Sequence, residues 1–282
     1  MSTLTGPLPL GASMPRSVEP SAAQRLAWAT AALFLLLMLP TLIAWSVDPR
    51  TLHGANVWSK PLKFEFSLFI HWLTLAWLMS ALQPVARHGR VLWHTLQAGV
   101  VASVLEIAYI ALQAYRGRAS HYNVETAWES FMYYGVMGTG AVVIVLSAGW
   151  VGVCLWRQPR QGLSPALRHG AALGLVGGAL LTLLTTAPLA SGVVDGLGHW
   201  VGGVRDDAGG LPLLGWSTTG GDLRVPHFFA THWMQALPVT GWLAQRWAPR
   251  HSLVWVYAAA LLGLVIVAAT MAQALAGRPF LG

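Results

Sequence analysis

The chain is poor in charge, in cysteine and in lysine, and each shortage removes a class of protein. Only 10% of its 282 residues are charged, against about 25% in soluble domains, so there is too little polar side chain to cover a soluble globule. The single cysteine, Cys154, excludes an intrachain disulfide framework and a zinc site built on cysteines. Lysine occurs only at Lys60 and Lys63, and most of the net charge of +7 comes from arginines scattered between apolar runs. A basic face for nucleic acid is therefore not expected, and chain topology is the simpler source of the charge. No HExxH or comparable compact metal motif is present.

What the chain has is apolar length. Apolar residues make up 55% of it and mean hydropathy is +0.55. Runs of about 20 residues with almost no charge match the roughly 30 Å hydrocarbon core that a helix must cross. The expected fold is all-α, a polytopic transmembrane bundle with spans near 26–47, 61–83, 91–115, 129–156, 167–190, 225–246 and 252–276. Residues 1–24, rich in Pro, Ser, Gly and Ala, read as a flexible cytoplasmic tail, and 25–282 as one transmembrane domain. The first apolar run is too long for a signal-peptide core and lacks a small-x-small end.

Arginines gather in alternate connections: Arg87 and Arg90, then Arg157, Arg160 and Arg168, then Arg246 and Arg250. The positive-inside rule places those loops and the N-terminus in the cytoplasm and the C-terminus outside, in a membrane of the bacterial inner type. Trp28, Trp45, Trp58, Trp93, Trp156 and Trp247 fall at predicted span ends, as interfacial anchors do. The first, fifth and seventh spans carry little polar character and read as scaffold, with Gly174 and Gly178 spaced for close helix approach.

The other spans carry polar stripes. Lys60, Lys63, Ser67, His71 and Thr74 recur at steps of three and four on one face of the second span, and Glu65 projects off it. At 1.5 Å per residue His71 lies about 12 Å deeper than Lys63. Ser103, Glu106, Tyr109, Gln113 and Arg116 form a second stripe, with Glu106 at a depth similar to His71. Pro226 opens the sixth span, followed by His227, His232 and Gln235, and the spacing turns the two histidines in different directions. All three polar faces converge on the outer half of the bilayer, where an ionisable side chain must pair, line water or bind something.

Imidazole and carboxylate together suit zinc or non-haem iron. The expectation is a metal held by His71, Glu106 and His232, with Glu65 and His227 moving protons and Lys63, Gln113, Arg116 and Gln235 contacting substrate. That set describes a membrane-embedded metal-dependent enzyme acting on a lipid or other apolar molecule. Two rivals use the same residues: a proton-coupled transporter with a Glu106–His71 relay, and a haem protein with His71 and His232 as axial ligands. Ser67-Leu-Phe-Ile-His71 resembles the Ser-xxx-His element of the seven-helix zinc hydrolases related to alkaline ceramidases and adiponectin receptors. The resemblance covers that element alone. His227 and His232 are spaced differently from that family's histidine pair, and no residue or activity is carried over. Lys60 reads as a snorkelling lysine, His121 as a solvated loop residue near the site's mouth, and the Gly-rich stretch 191–224 as either a lid or a mobile loop.

Overall fold

The computed structural model describes residues 19–281, so the expected tail up to residue 18 lies outside the described residues. Helix α1 (Ala22–Val47) begins inside the remaining part of that tail, because the Ser21 hydroxyl accepts a hydrogen bond from Gln24 N–H at 3.1 Å and caps the first turn. Then come α2 (Ser59–Met79), a short α3 (Pro84–Arg87) and α4 (Arg90–Tyr115). The next long helix is composite: α5 (Ala127–Ser130), a π-helical segment over Phe131–Met137, and α6 (Gly138–Arg157). After α7 (Pro165–Ser191) come α8 (Arg224–Trp247) and α9 (Ser252–Leu275).

Among the described residues, six helical stretches are long and apolar enough to cross a membrane: Ala22–Val47, Ser59–Met79, Arg90–Tyr115, Ala127–Arg157, Pro165–Ser191 and Pro249–Leu275. The remaining long helix, α8, has 24 residues but is not among them, because its sequence holds Arg224, His227, His232, Gln235, Gln245 and Arg246. The second helix stops at Met79 rather than near residue 83. Gln83 precedes Pro84 and is extended, as a residue before proline must be to avoid the ring.

Large apolar side chains lie exposed along the outside of the bundle. Leu36 and Ile43 of α1 and Leu261 of α9 are each more than 60% exposed, whereas Trp72, Phe34, Leu96 and Leu155 are fully buried inside. Soluble monomers do not show continuous apolar belts of this kind, and lipid is the medium that suits one.

Contacts run most extensively between α7 and α8, and glycine makes this approach possible. A Cβ on Gly174 would come within 2.9 Å of the Trp233 carbonyl oxygen, and one on Gly178 within 2.8 Å of Met234 Cγ. The small-residue spacing read from the sequence thus marks a real close packing. The same helix is more than scaffold, since Thr182 bonds Thr231 at 3.2 Å across to α8.

Connections alternate between two ends. At one, the Gln83 amide donates to the Gln158 carbonyl and the Arg160 amide to the Ala81 carbonyl, tying the α2–α4 and α6–α7 links together. The other end carries the long loops. There residues 192–223 are folded, with β3 (Trp200–Val201) paired antiparallel to β4 (Gly221–Asp222). They meet a small hairpin of β1 (Thr51–Leu52) and β2 (Ala55–Asn56) through the Asp207 amide, which donates to the His53 carbonyl at 2.8 Å.

Candidate functional site

Arg224, the first residue of α8, organises the loop-rich end. Its Nη2 donates to Asp222 Oδ2 at 2.7 Å, to Asp207 Oδ1 at 2.9 Å and to the Gly215 carbonyl at 2.7 Å, while Nε reaches Asp222 Oδ1 at 3.0 Å. The planar guanidinium suits this forked grip, which a point-charge ammonium could not reproduce. On the neighbouring residue, the Leu214 carbonyl accepts from Lys63 Nζ at 2.9 Å. Two adjacent carbonyls thus fasten residues 192–223 to the first turns of α2 and α8.

Within that segment His199 braces Asp207, its Nε2 lying 3.2 Å from Asp207 Oδ1. Burial lowers the His199 pKa despite that carboxylate, so the ring is neutral near pH 7 and donates as a neutral imidazole. Burial alone would raise the Asp207 pKa, but the His199 hydrogen bond and the Arg224 charge outweigh it and hold the group down at about 2.

An aromatic wall runs inward from here. Tyr122 contacts His199 and Tyr133, with ring centroids 6.2 and 5.5 Å apart, and His121 contacts Tyr133 at 5.8 Å and Phe64 at 5.5 Å. Tyr122 has φ +59°, a left-handed conformation costly for a side chain of this size, so the packing around it fixes an unfavourable backbone. His121, expected as a solvated loop residue, is half-buried against Phe64 and Tyr133. Burial pushes its pKa well below the usual value, and the nearby Lys60 charge acts in the same direction.

Lys60 closes the wall with Nζ 5.9 Å from the Phe64 ring centre. It lies within electrostatic reach of Arg224, Asp207, Glu106 and Lys63. Among the described residues it makes no ion pair, because Asp207 and Asp222 are engaged by Arg224. It is half-buried in the first turn of α2.

The residues singled out from the sequence are dispersed. Among the described residues no group of three or more His, Cys, Asp or Glu side chains is placed to hold a metal ion, so His71, Glu106 and His232 are not assembled as a ligand set. The reason lies in helix faces. His71 is buried and its Nε2 is unpartnered, whereas His232 bonds Gln235 Oε1 on its own helix at 3.1 Å and stacks on Phe228. His227 turns to α7, with Nδ1 at 3.2 Å from Thr185 Oγ1 and 3.3 Å from Thr186 Oγ1. Glu65 turns the other way, accepting from Thr41 of α1 at 2.7 Å. Gln113 and Arg116 serve the adjoining loop. Gln113 donates to Tyr109 and to the Ala119 carbonyl, and Arg116 donates to Gln113 and stands 3.8 Å from Glu129.

Glu106 is the exception. It is 5% exposed in the middle of α4, its Oε1 has no hydrogen-bond partner, and it faces Gly140 of α6. Residues missed by the sequence reading are His199, Asp207, Tyr122, Tyr133 and Arg224. Only the close spacing of Asp222 and Arg224 beside a proline hinted at them.

The chain matches no protein-family model, no curated protein and no solved structure. Its function must be read from the site itself.

Proposed function

We propose that the chain is a seven-span protein of a bacterial-type inner membrane that binds a lipid or lipid-like molecule by an anionic headgroup at its loop-rich end. The observation that carries this reading is Lys60, a half-buried cation at the head of α2 that makes no ion pair among the described residues, flanked by Arg224 and Lys63 and beside the wall of Phe64, His121, Tyr122 and Tyr133. A charge in so apolar a setting is costly unless something completes it. The aromatic wall gives an apolar body a surface, and the folded 192–223 segment covers that end. Binding and positioning by cations is the role that Lys60, Lys63 and Arg224 support.

In this reading α8 is the sixth of seven spans, tolerated despite its composition because its polar face looks onto α7 and the site rather than onto lipid. The arginine-bearing loops lie in the cytoplasm and residues 192–223 outside.

Two experiments test it. Addition of monododecyl phosphate to the detergent-purified protein should raise its melting temperature, and Lys60→Met should remove that rise. An equal rise in the variant, or none in the wild type with either phosphate or carboxylate amphiphiles, refutes anion binding at Lys60. For topology, single cysteines replace Val204, Gln161 and Arg250 in a Cys154→Ala background. A membrane-impermeant maleimide on intact cells should label only the first. Labelling at position 250 as strong as at 204 would mean that α8 does not cross.

A further inference from the structure

A second site lies away from the cations, on the lipid-facing side of the bundle. A groove of about 620 Å³ runs between α4 and the composite π-helix and α6, walled by Val101, Leu105, Val136, Met137 and Val143. Val101 and Leu105 are 58% and 53% exposed, so the groove opens where the hydrocarbon of the membrane would be. Glu106, set against Gly140, is the one ionisable side chain of its lining, which also holds Gln97 and Thr139. A Cβ at Gly140 would stand 3.1 Å from Glu106 Oε1, so the missing side chain is what leaves room for the carboxyl group at the groove wall.

The residue is 95% buried by difference from its 5% exposure, and Oε1 has no donor. In an apolar surround an oxygen left without a hydrogen bond is strongly disfavoured, and among the described residues none supplies one. The π-helical turn of Phe131–Met137 contributes Gly135, Val136 and Met137 to the same wall. Such turns interrupt a helix at a cost and concentrate at functional places.

We propose that this groove binds a neutral apolar molecule carrying one hydroxyl, whose chain lies along Val101, Leu105 and Val143 and whose O–H donates to Glu106. The chemistry differs from that of the Lys60 site. A carboxyl oxygen seeks a donor and repels an anionic head, so a long-chain alcohol fits here and a fatty acid or phosphate does not. Entry is lateral, from the membrane, without passage under residues 192–223.

The test is photolabelling of the full chain in lipid nanodiscs with a diazirine-bearing hexadecanol, followed by peptide mapping. Label should appear on α4 and on the 131–143 stretch, and unlabelled hexadecanol should compete it away where hexadecane does not. Replacing Glu106 by Leu should weaken labelling about tenfold, the loss expected for one buried hydrogen bond. Gly140→Leu, which keeps the carboxylate and fills the space, should abolish it. Should a variant fail to fold, the competition on wild-type protein still decides. Equal labelling by the alkane probe, or equal competition by hexadecane, would show only the ordinary shell of lipid and would overturn the proposal.

Discussion

Replacing Arg224 by Gln should release residues 192–223 while leaving the helices intact. In the folded protein the guanidinium grips Asp222, whose side chain is fully buried, together with Asp207 and the Gly215 carbonyl. Removing one partner of a buried ion pair costs about 3–5 kcal/mol, because the other charge stays behind. Asp222 keeps two donors, the Ser217 amide at 3.0 Å and the Arg224 amide at 3.0 Å, which places the cost near the lower limit, about 3 kcal/mol. Since about 1.4 kcal/mol is a factor of ten, amide exchange limited by opening of this segment should accelerate roughly a hundredfold. The reporting amides are those of Asp207, Leu211, Gly215 and Leu223, which donate to His53, Trp216, Leu211 and His199. Hydrogen–deuterium exchange by mass spectrometry on wild type and variant, with peptides of α1 and α7 as internal controls, measures this directly. Acceleration of less than about fivefold, equivalent to roughly 1 kcal/mol, would show that Arg224 is not what holds the segment down.

Three further outcomes follow from the packing and the pairs. Gly174→Ala should lower the melting temperature because its Cβ would press on the α8 backbone, whereas Gly149→Ala, which would meet Ala179 Cβ at an ordinary 3.4 Å, should be neutral or stabilising by up to about 1 kcal/mol. Thr41→Val removes the hydroxyl that Glu65 Oε1 uses, and Oε2 has no partner already, so unfolding in mixed micelles should show a loss of about 1–3 kcal/mol. The third concerns pH. His199, facing Asp207, Tyr122 and Trp200 with Arg224 and Asp222 nearby, has a folded-state pKa below its unfolded value of 6.5. The unfolded chain then binds a proton that the folded one does not, so stability should fall as pH drops below 6.5, by at most about 1.4 kcal/mol per pH unit for this group. His121 shifts the same way and adds to the slope. Melting curves between pH 7.5 and 5.5 should therefore flatten in His199→Gln, and an unchanged slope would remove His199 from the account.

The positions of six apolar helices were legible in the sequence because a bilayer demands a minimum apolar length, which composition reveals without any knowledge of packing. Glycine spacing on α7 was legible for a related reason, since backbones approach closely only where Cβ is absent. The direction of each polar side chain was much less so. Helical periodicity grouped Lys60, Lys63 and His71 on one face, yet it could not say which helix that face would meet, and so the expected His71–Glu106–His232 centre dissolved into separate local arrangements. Glu65 is instructive: its offset from the stripe did indicate a turn toward a neighbour, and that neighbour is Thr41. Least legible was the loop-rich end. The pairs Asp207–Arg224 and His199–Asp207 depend on chain reversals within a Gly-rich stretch that has no periodicity to read. The π-helical turn left no signal either, since Phe131–Met137 is as apolar as an ordinary helix.

The ionisable residues at this end and in the core below it divide by what they do for the fold. Arg224 with Asp222 and Asp207, Arg118 with Glu125 and Glu129, and Arg50 with Asp48 are satisfied pairs, and each fastens a connection at the loop-rich end. Lys60 and Glu106 fasten nothing. They feel each other's charge but do not touch, although a direct contact would have been the simplest way to reduce the cost of both in an apolar medium. Instead Lys60 is set against an aromatic wall and Glu106 against a glycine, each beside space or surface that another molecule could occupy. A bundle that needed these residues only for stability would have brought them into contact. Keeping them apart is better suited to two ligand heads of opposite preference, an anion at the loop-covered end and a hydroxyl at the membrane-facing groove.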